Sequence, residues 1–205
     1  MKIAIEINGV LRDTLAKIHQ TYEKFYLGET LMESDDLVDN NESDNFKYEI
    51  VEPIDSLKLE NHFKFKNEED LYHFLYEDFV MQIFGHAGSS ETLSFNYLND
   101  FYKEYRDTHE ITIISDEIGR SKPASLFFLS KFGCLIENVR FYNLTTKNDI
   151  FKDFDVIVSA NPDFIENNQD DKIIIKYNTL YNKNSICKIE IDSLKELSQK
   201  IQEIC

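Results

Sequence analysis

The sequence predicts an α/β domain: a parallel sheet with helices on both faces and an inserted, mostly helical cap. Three observations carry this. The chain opens on a β-branched strand, Ile3, Ile5 and Ile7, that runs through Asn8-Gly9 into a helical pattern. Its second half alternates strand and helix, the order of a parallel sheet covered on both faces. The interval between the first strand and the next, at residue 110, is far longer than one crossover needs, so a segment is inserted there.

Residues 2–8 read as a buried parallel strand because the run is apolar and β-branched. Residues 12–27 read as a helix, with Leu15, Ile18, Tyr22, Phe25 and Tyr26 at helical spacing. In 29–46, Glu33, Asp35, Asp36, Asp39, Glu42 and Asp44 fall among Asn and Ser. They lack EF-hand spacing and the glycine of its sharp turn, so the segment reads as a solvated acidic loop. Residues 47–66 are ambiguous, with partial alternation over Phe63–Lys66. Residues 67–85 predict one helix, capped by Asn67, begun by Glu68, Glu69 and Asp70 and ended by Gly85. Its apolar stripe is Leu71, Phe74, Leu75, Phe79 and Ile83. Gly88-Ser89-Ser90 is a break, with Ser90 as cap of a helix over 91–107 that places Ser94, Leu98, Phe101 and Tyr105 on one side. There follow strand 110–115, helix 121–132, strand 138–143, a turn or helix at 147–153, strands 155–159 and 172–177, and helix 193–204. The expected division is a core of 1–27 plus 89–205 and a cap of 28–88.

The 205 residues fit one domain with an inserted subdomain. Sixteen Phe and eleven Tyr, with no Trp, make the expected core strongly aromatic. A net charge of −16 repels phosphate backbones and argues against nucleic-acid binding. Cys134, Cys187 and Cys205 are odd in number and lack CxxC spacing, so neither a disulfide framework nor a zinc site is expected. No signal-peptide core and no apolar run of membrane-spanning length is present, which predicts a soluble, cytoplasmic protein. The five histidines lack metal-ligand spacing and read as surface or helix residues.

In open α/β sheets, sites form at the carboxyl ends of strands. Those ends are Glu6-Ile7-Asn8, Ile114-Ser115-Asp116, Tyr142-Asn143 leading to Thr145-Thr146-Lys147, and Ser159-Ala160-Asn161-Pro162. The opening segment MKIAIEINGVLRDTLAKIH resembles the first motif of haloacid-dehalogenase-like (HAD) phosphatases, Asp-x-Asp-Gly-[Thr/Val]-Leu-x-Asp-[Thr/Ser]. Gly9, Val10, Leu11, Asp13 and Thr14 match it, while Glu6 and Asn8 stand where the family has aspartates. The resemblance spans 1–16 and 110–166. It implies a Rossmannoid sheet, Ser115 as the second motif, and Ser159 and Ala160 in place of a paired aspartate. For the family lysine there are two candidates, Lys122 in Ser-Lys-Pro and Lys147, whose Thr-Thr-Lys setting is similar to that of 5′(3′)-deoxyribonucleotidases. The rival fold is another doubly wound sheet in which Asn8-Gly9 is only a turn.

The family reaction forms an aspartyl-phosphate beside Mg²⁺. Glu6 keeps the charge but adds a methylene, and a displacement of about 1 Å can cost on the order of 100-fold. An amide at position 8 transfers no proton at neutral pH, a loss of roughly 10²–10⁴-fold. With Glu6, Asn8 and Asn161 as its only family-position ligands, Mg²⁺ is expected to be absent or weakly held, with Asp116 or Asp163 as displaced alternatives. Gly9 amides, Ser115, Asp116, Lys147 and Lys122 are the expected ligand-binding groups for a small phosphorylated molecule. The leading expectation is a pseudo-phosphatase with a binding or regulatory role. The alternatives are an active metal-dependent nucleotidase-like phosphatase using Glu6, and a structural protein whose aromatic cap meets a partner or a second copy.

Overall fold

The computed structural model describes residues 1–28, 46–143, 145–166 and 172–204. The expected acidic loop lies outside the described residues. Six parallel strands form one sheet in the order β3-β2-β1-β4-β5-β6. They are β1 (Lys2–Glu6), β2 (Glu110–Ser115), β3 (Val139–Phe141), β4 (Val156–Ser159), β5 (Ile173–Tyr177) and β6 (Ile189–Ile191). The helices are α1 (Thr14–Tyr22), α2 (Glu68–His73), α3 (Ser94–Tyr105), α4 (Ser121–Lys131), α5 (Lys147–Asp153), α6 (Pro162–Glu166) and α7 (Leu197–Ile204).

The first strand lies inside the sheet, with β2 on one side and β4 on the other, and Ile3 to Glu6 are buried between them. Ile3, Ile5 and Glu6 pair in register with Ile111, Ile113 and Ile114 on one side, and Ile3 and Ile5 with Val156 and Val158 on the other. Alternation along β1 divides the core. Ile3, Ile5 and Ile7 join Phe95, Leu98, Phe101 and Phe128 with Leu197 and Ile201, so α3, α4 and α7 cover that face. Ala4 joins Ile114, Ile157, Ile150, Phe154 and Phe164, so α5 and α6 cover the other. The α/β architecture with both faces covered is thus as the sequence predicts.

A third apolar cluster lies over the carboxyl end of the sheet. Ile18 and Tyr22 of α1 pack with Phe63, Phe74, Leu75, Val80, Ile83 and Phe84, and with Ala124 of α4. Tyr22 is its hub, with the rings of Tyr26, Phe63, Phe65 and Phe74 within 6 Å. Here the aromatic composition is used, and α1 packs with the inserted segment.

Several local expectations are corrected. The single helix over 67–85 breaks at Phe79 (φ −115°, ψ 17°). α2 runs on through a π-turn, Phe74–Asp78, and a separate turn, Met81–Gly85, follows. Packing of Phe74, Ile83 and Phe84 into the same cluster overrides helical continuity. Asn67 caps α2 as expected, its Oδ1 accepting from Asp70 N at 2.9 Å. Ser90 caps no helix. Its hydroxyl donates to the Val10 carbonyl and its amide to that of Leu11 at 3.0 Å, so α3 begins only at Ser94. The 47–66 segment is held by one antiparallel bridge, Ile50–Phe63, and a single turn at Leu59–Asn61. His62 is buried there, with Nδ1 at 3.2 Å from the Val51 carbonyl, and is not a surface residue. The short β6 and α6 had no periodicity to announce them.

Phe128 is fully buried between Phe95, Phe132 and the Arg12 guanidinium. Phe128→Ala is expected to cost about 3–5 kcal/mol in urea denaturation, whereas Leu126→Ala, on the exposed side of the same helix, costs about 0.5 kcal/mol or less.

Candidate functional site

The carboxyl ends of β1, β2 and β4 meet beneath the aromatic cluster, and the cleft between them is a cavity of about 680 Å³. Its floor is Glu6, Asn8, Gly9, Asp116 and Asn161, and its walls include Leu15, Ile18, Leu75, Tyr76, Phe84 and Tyr181. The strand ends predicted from sequence therefore do converge.

Beside this floor lies a residue the sequence reading passed over. Arg12 is fully buried. Its five N–H groups meet five acceptors: Nε the Thr14 hydroxyl (3.1 Å), Nη1 the Phe84 carbonyl (2.8 Å) and Ser125 Oγ (2.6 Å), Nη2 Asn8 Oδ1 (2.6 Å) and Glu117 Oε1 (2.5 Å). The rings of Phe84 and Phe128 flank it at 5.0 and 5.4 Å. Glu117, equally buried, also accepts from Ser115 (3.1 Å) and Ser125 (2.8 Å). One signal was legible: a cation inside an apolar loop and a second acid two residues past a strand end, each needing a partner if buried.

This pair fixes Asn8. Arg12 only donates, so the oxygen of the Asn8 amide faces it, and Thr14 donates to the same oxygen at 2.7 Å. The Asn8 nitrogen then faces Asp116 (Oδ1, 2.6 Å) and Ser115 (Oγ, 3.3 Å). An aspartate at position 8 would set two carboxylate oxygens about that close, a contact two ionised groups do not hold. Asp116 is exposed, and the surface it shows faces this cavity. The surrounding protein and the Glu117 charge raise its carboxyl pKa, against the Asn8 hydrogen bond.

Glu6 is buried, with Oε1 accepting from the Tyr142 hydroxyl at 2.9 Å and Oε2 from the Ser159 hydroxyl. Burial first, and the Asp116 charge second, push its pKa from the ordinary 4.5 to about 7, against the two hydrogen bonds and Lys147. Burial first, and the Glu6 charge second, in turn raise the Tyr142 phenol. Ser159, standing where the family has an acid, thus serves as a hydroxyl donor to Glu6.

The remaining candidates divide. Lys147 is close enough to act on Glu6, but its Nζ pairs with Asp163 at 2.9 Å. Lys122 is exposed, 5.9 Å from the Phe141 ring centroid, and does not line the cavity. Ser115 is buried and its hydroxyl is spent on Glu117 and Asn8. The anion cradle expected at Gly9 is closed. The Gly9 amide donates to the Arg12 carbonyl at 2.9 Å, and those of Leu11 and Arg12 to the Ile7 carbonyl. Gly9 has φ +80°, and a Cβ there would lie 1.9 Å from the Tyr181 hydroxyl, so Tyr181 covers this turn closely. Asp13 is the cap of α1, accepting from Ala16 N at 3.3 Å.

The residues present do not fit the magnesium ion that the resemblance implies. Such an ion takes six oxygens in near-octahedral array. Both Glu6 oxygens accept from hydroxyls, Asn8 Oδ1 accepts from a guanidinium, and Asn161 Oδ1 accepts from Asp163 N at 2.9 Å. Among the described residues no three His, Cys, Asp or Glu side chains gather as a ligand set.

The architecture has clear counterparts. A protein described as a haloacid dehalogenase-like hydrolase from Burkholderia xenovorans LB400 superposes with TM-score 0.55 at 12% identity, covering 98% of this chain and 96% of that one. A dehalogenase crystallised as an intermediate complex gives 0.53 at 12%, covering 97% and 96%. A β-phosphoglucomutase from Clostridium difficile gives 0.53 at 15%, covering 98% and 95%. No protein-family model and no curated protein sequence matches the chain. The fold is that of HAD-like hydrolases, as the motif order predicted, and the likeness extends over nearly the whole length of these structures.

Two outcomes test this description. Glu117→Gln leaves the Arg12 charge buried without its counter-charge and is expected to cost about 3–5 kcal/mol by chemical denaturation, while an Arg12→Met/Glu117→Met double variant costs clearly less than the two single losses together. Glu6 binds its proton more tightly folded than unfolded. Its contribution to stability is therefore full below about pH 4.5 and falls as pH rises through about 7, by about 3 kcal/mol. Glu6→Gln should remove this falling limb from a pH series of urea midpoints.

Proposed function

We propose that this chain is a HAD-fold protein that has given up phosphoryl transfer and uses its cavity for binding or regulation. The observation that carries the reading is the locked Asn8 amide. Its oxygen accepts from Arg12 and Thr14, and its nitrogen donates to Asp116 and Ser115, so neither end is left to move a proton. Support comes also from Glu6, whose two oxygens are engaged by Tyr142 and Ser159 and not presented to an electrophile. An intracellular setting goes with this reading, supported by the free thiols of Cys134 and Cys187.

One observation favours a second reading, an active hydrolase. A buried carboxyl with a pKa of about 7 at a cavity floor suits general acid–base work near neutrality, and Asp116 stands beside it. The two readings separate in one assay. A panel of mononucleotides and sugar phosphates is incubated with Mg²⁺ or Mn²⁺, with Glu6→Ala as control. The expected result is no metal-dependent turnover above that control. Turnover abolished by the substitution would overturn the non-catalytic reading and make Glu6 the working residue.

A further inference from the structure

We propose that the cavity binds an organic cation: a protonated amine at Asp116, within the field of the buried Glu6, with its apolar body against Leu75, Tyr76, Phe84 and Tyr181. The inference rests on the non-catalytic reading above and names the ligand class of the same site. It starts from volume. About 680 Å³ is enough for a small organic molecule and far more than a metal ion fills.

The sign of the charge comes from the lining. Among the described residues, Glu6, Asp13, Glu52 and Asp116 line the cavity and no Lys or Arg does. The lining histidine, His19, sits 3.3 Å from the Glu52 carboxylate. The two cations nearest the floor are already committed, Arg12 to Glu117 inside the protein and Lys147 to Asp163. A phosphate or carboxylate ligand would therefore enter the cleft against like charge, with no lining Lys or Arg among the described residues to receive it and with the Gly9 amide spent. A neutral apolar ligand would strip water from Asp116 and return nothing. A cation does the reverse. It gives Asp116 a counter-charge, where the neutral Asn8 amide gives only a hydrogen bond, and relieves the repulsion between Asp116 and Glu6. Tyr76 and Tyr181 line the cavity as well, and an aromatic ring attracts a desolvated ammonium, while the Phe84 ring is already stacked on Tyr76 and flanks Arg12.

The test uses three probes of one shape: 4-phenylbutylamine, 4-phenylbutanol and 4-phenylbutyrate, titrated into the full chain by calorimetry, with inorganic phosphate and Mg²⁺ alongside. The amine is expected to bind saturably and roughly tenfold or more tighter than the alcohol. The carboxylate and phosphate are expected to give no heat of binding, and Mg²⁺ no displacement of the amine. Asp116→Asn keeps an acceptor for Asn8 and should cut amine affinity roughly tenfold while leaving the alcohol unchanged. Tyr76→Leu, which removes no hydrogen bond of the Asn8 amide, should weaken the amine more than the alcohol. Equal binding of amine and carboxylate, displacement by Mg²⁺, tighter binding of phosphate, or no binding of the amine would each overturn the proposal. Phosphate binding without turnover would sink this inference and leave the non-catalytic reading standing. Metal-dependent turnover would sink that reading whatever the amine does.

Discussion

The buried pair of Arg12 and Glu117 is the interaction on which the arrangement of the site depends. Two charges without solvent exposure are costly unless every donor is met, and here the guanidinium meets five acceptors on five segments. Those segments are the loop after β1, the start of α1, the turn Met81–Gly85, the loop after β2 and α4. Each supplies an acceptor, Phe84 through its carbonyl and the others through side chains. The pair therefore joins the inserted segment to the sheet at the point where the cavity begins. Phe84 adds its ring to its carbonyl, so one residue of the insertion both cradles the cation and walls the cavity.

From that pair the chemistry of the floor follows in sequence. A donor-only side chain dictates which end of the Asn8 amide faces it, and the other end must then find acceptors, which are Asp116 and Ser115. Asparagine at position 8 is the residue type this network requires, because it can present an acceptor to one neighbour and donors to the next. The departure from the family pattern is thus part of a consistent set of partners and not an isolated loss. Glu6 shows the same logic. Its extra methylene is matched by two hydroxyls, from Tyr142 and Ser159, where a family site would have further acids.

Much of the fold was legible because apolar runs and turn residues speak locally. The β1 run into Asn8-Gly9, the strand at 110–115 and the alternation that follows placed five of six strands, and their carboxyl ends named Glu6, Asn8 and Asp116, which do meet. What stayed hidden was long-range. Arg12 and Glu117 lie 105 residues apart and neither is unusual alone. Tyr181 was unreadable because its contact with Gly9 depends on where β5 delivers it. Lys147 and Lys122 were separable only by geometry, one paired with Asp163 within the electrostatic reach of Glu6 and the other near the Phe141 ring. The helix over 67–85 failed because periodicity continued through Phe79 while packing around Tyr22 turned the chain. The 3-residue β6 carries too little pattern to be seen before its partner β5 is placed.

The charge of the whole chain and that of the cavity act together. A net −16 already disfavours approach by anions, and the lining strengthens that bias where the ligand would lose its water. In a HAD-type phosphatase the phosphate is accommodated by a metal ion and a free lysine. In this chain Lys147 faces Asp163, and the side-chain oxygens of Glu6, Asn8 and Asn161 are bound by hydroxyls, a guanidinium and an amide nitrogen. An aspartate at position 8 would meet the same neighbours, because Arg12 would still hold one oxygen and Asp116 would face the other. Positions 6, 8, 12 and 116 are coupled in this way, so a change at one is felt at the others. The network that fills the floor is also the one that ties the turn Met81–Gly85 to the ends of the strands.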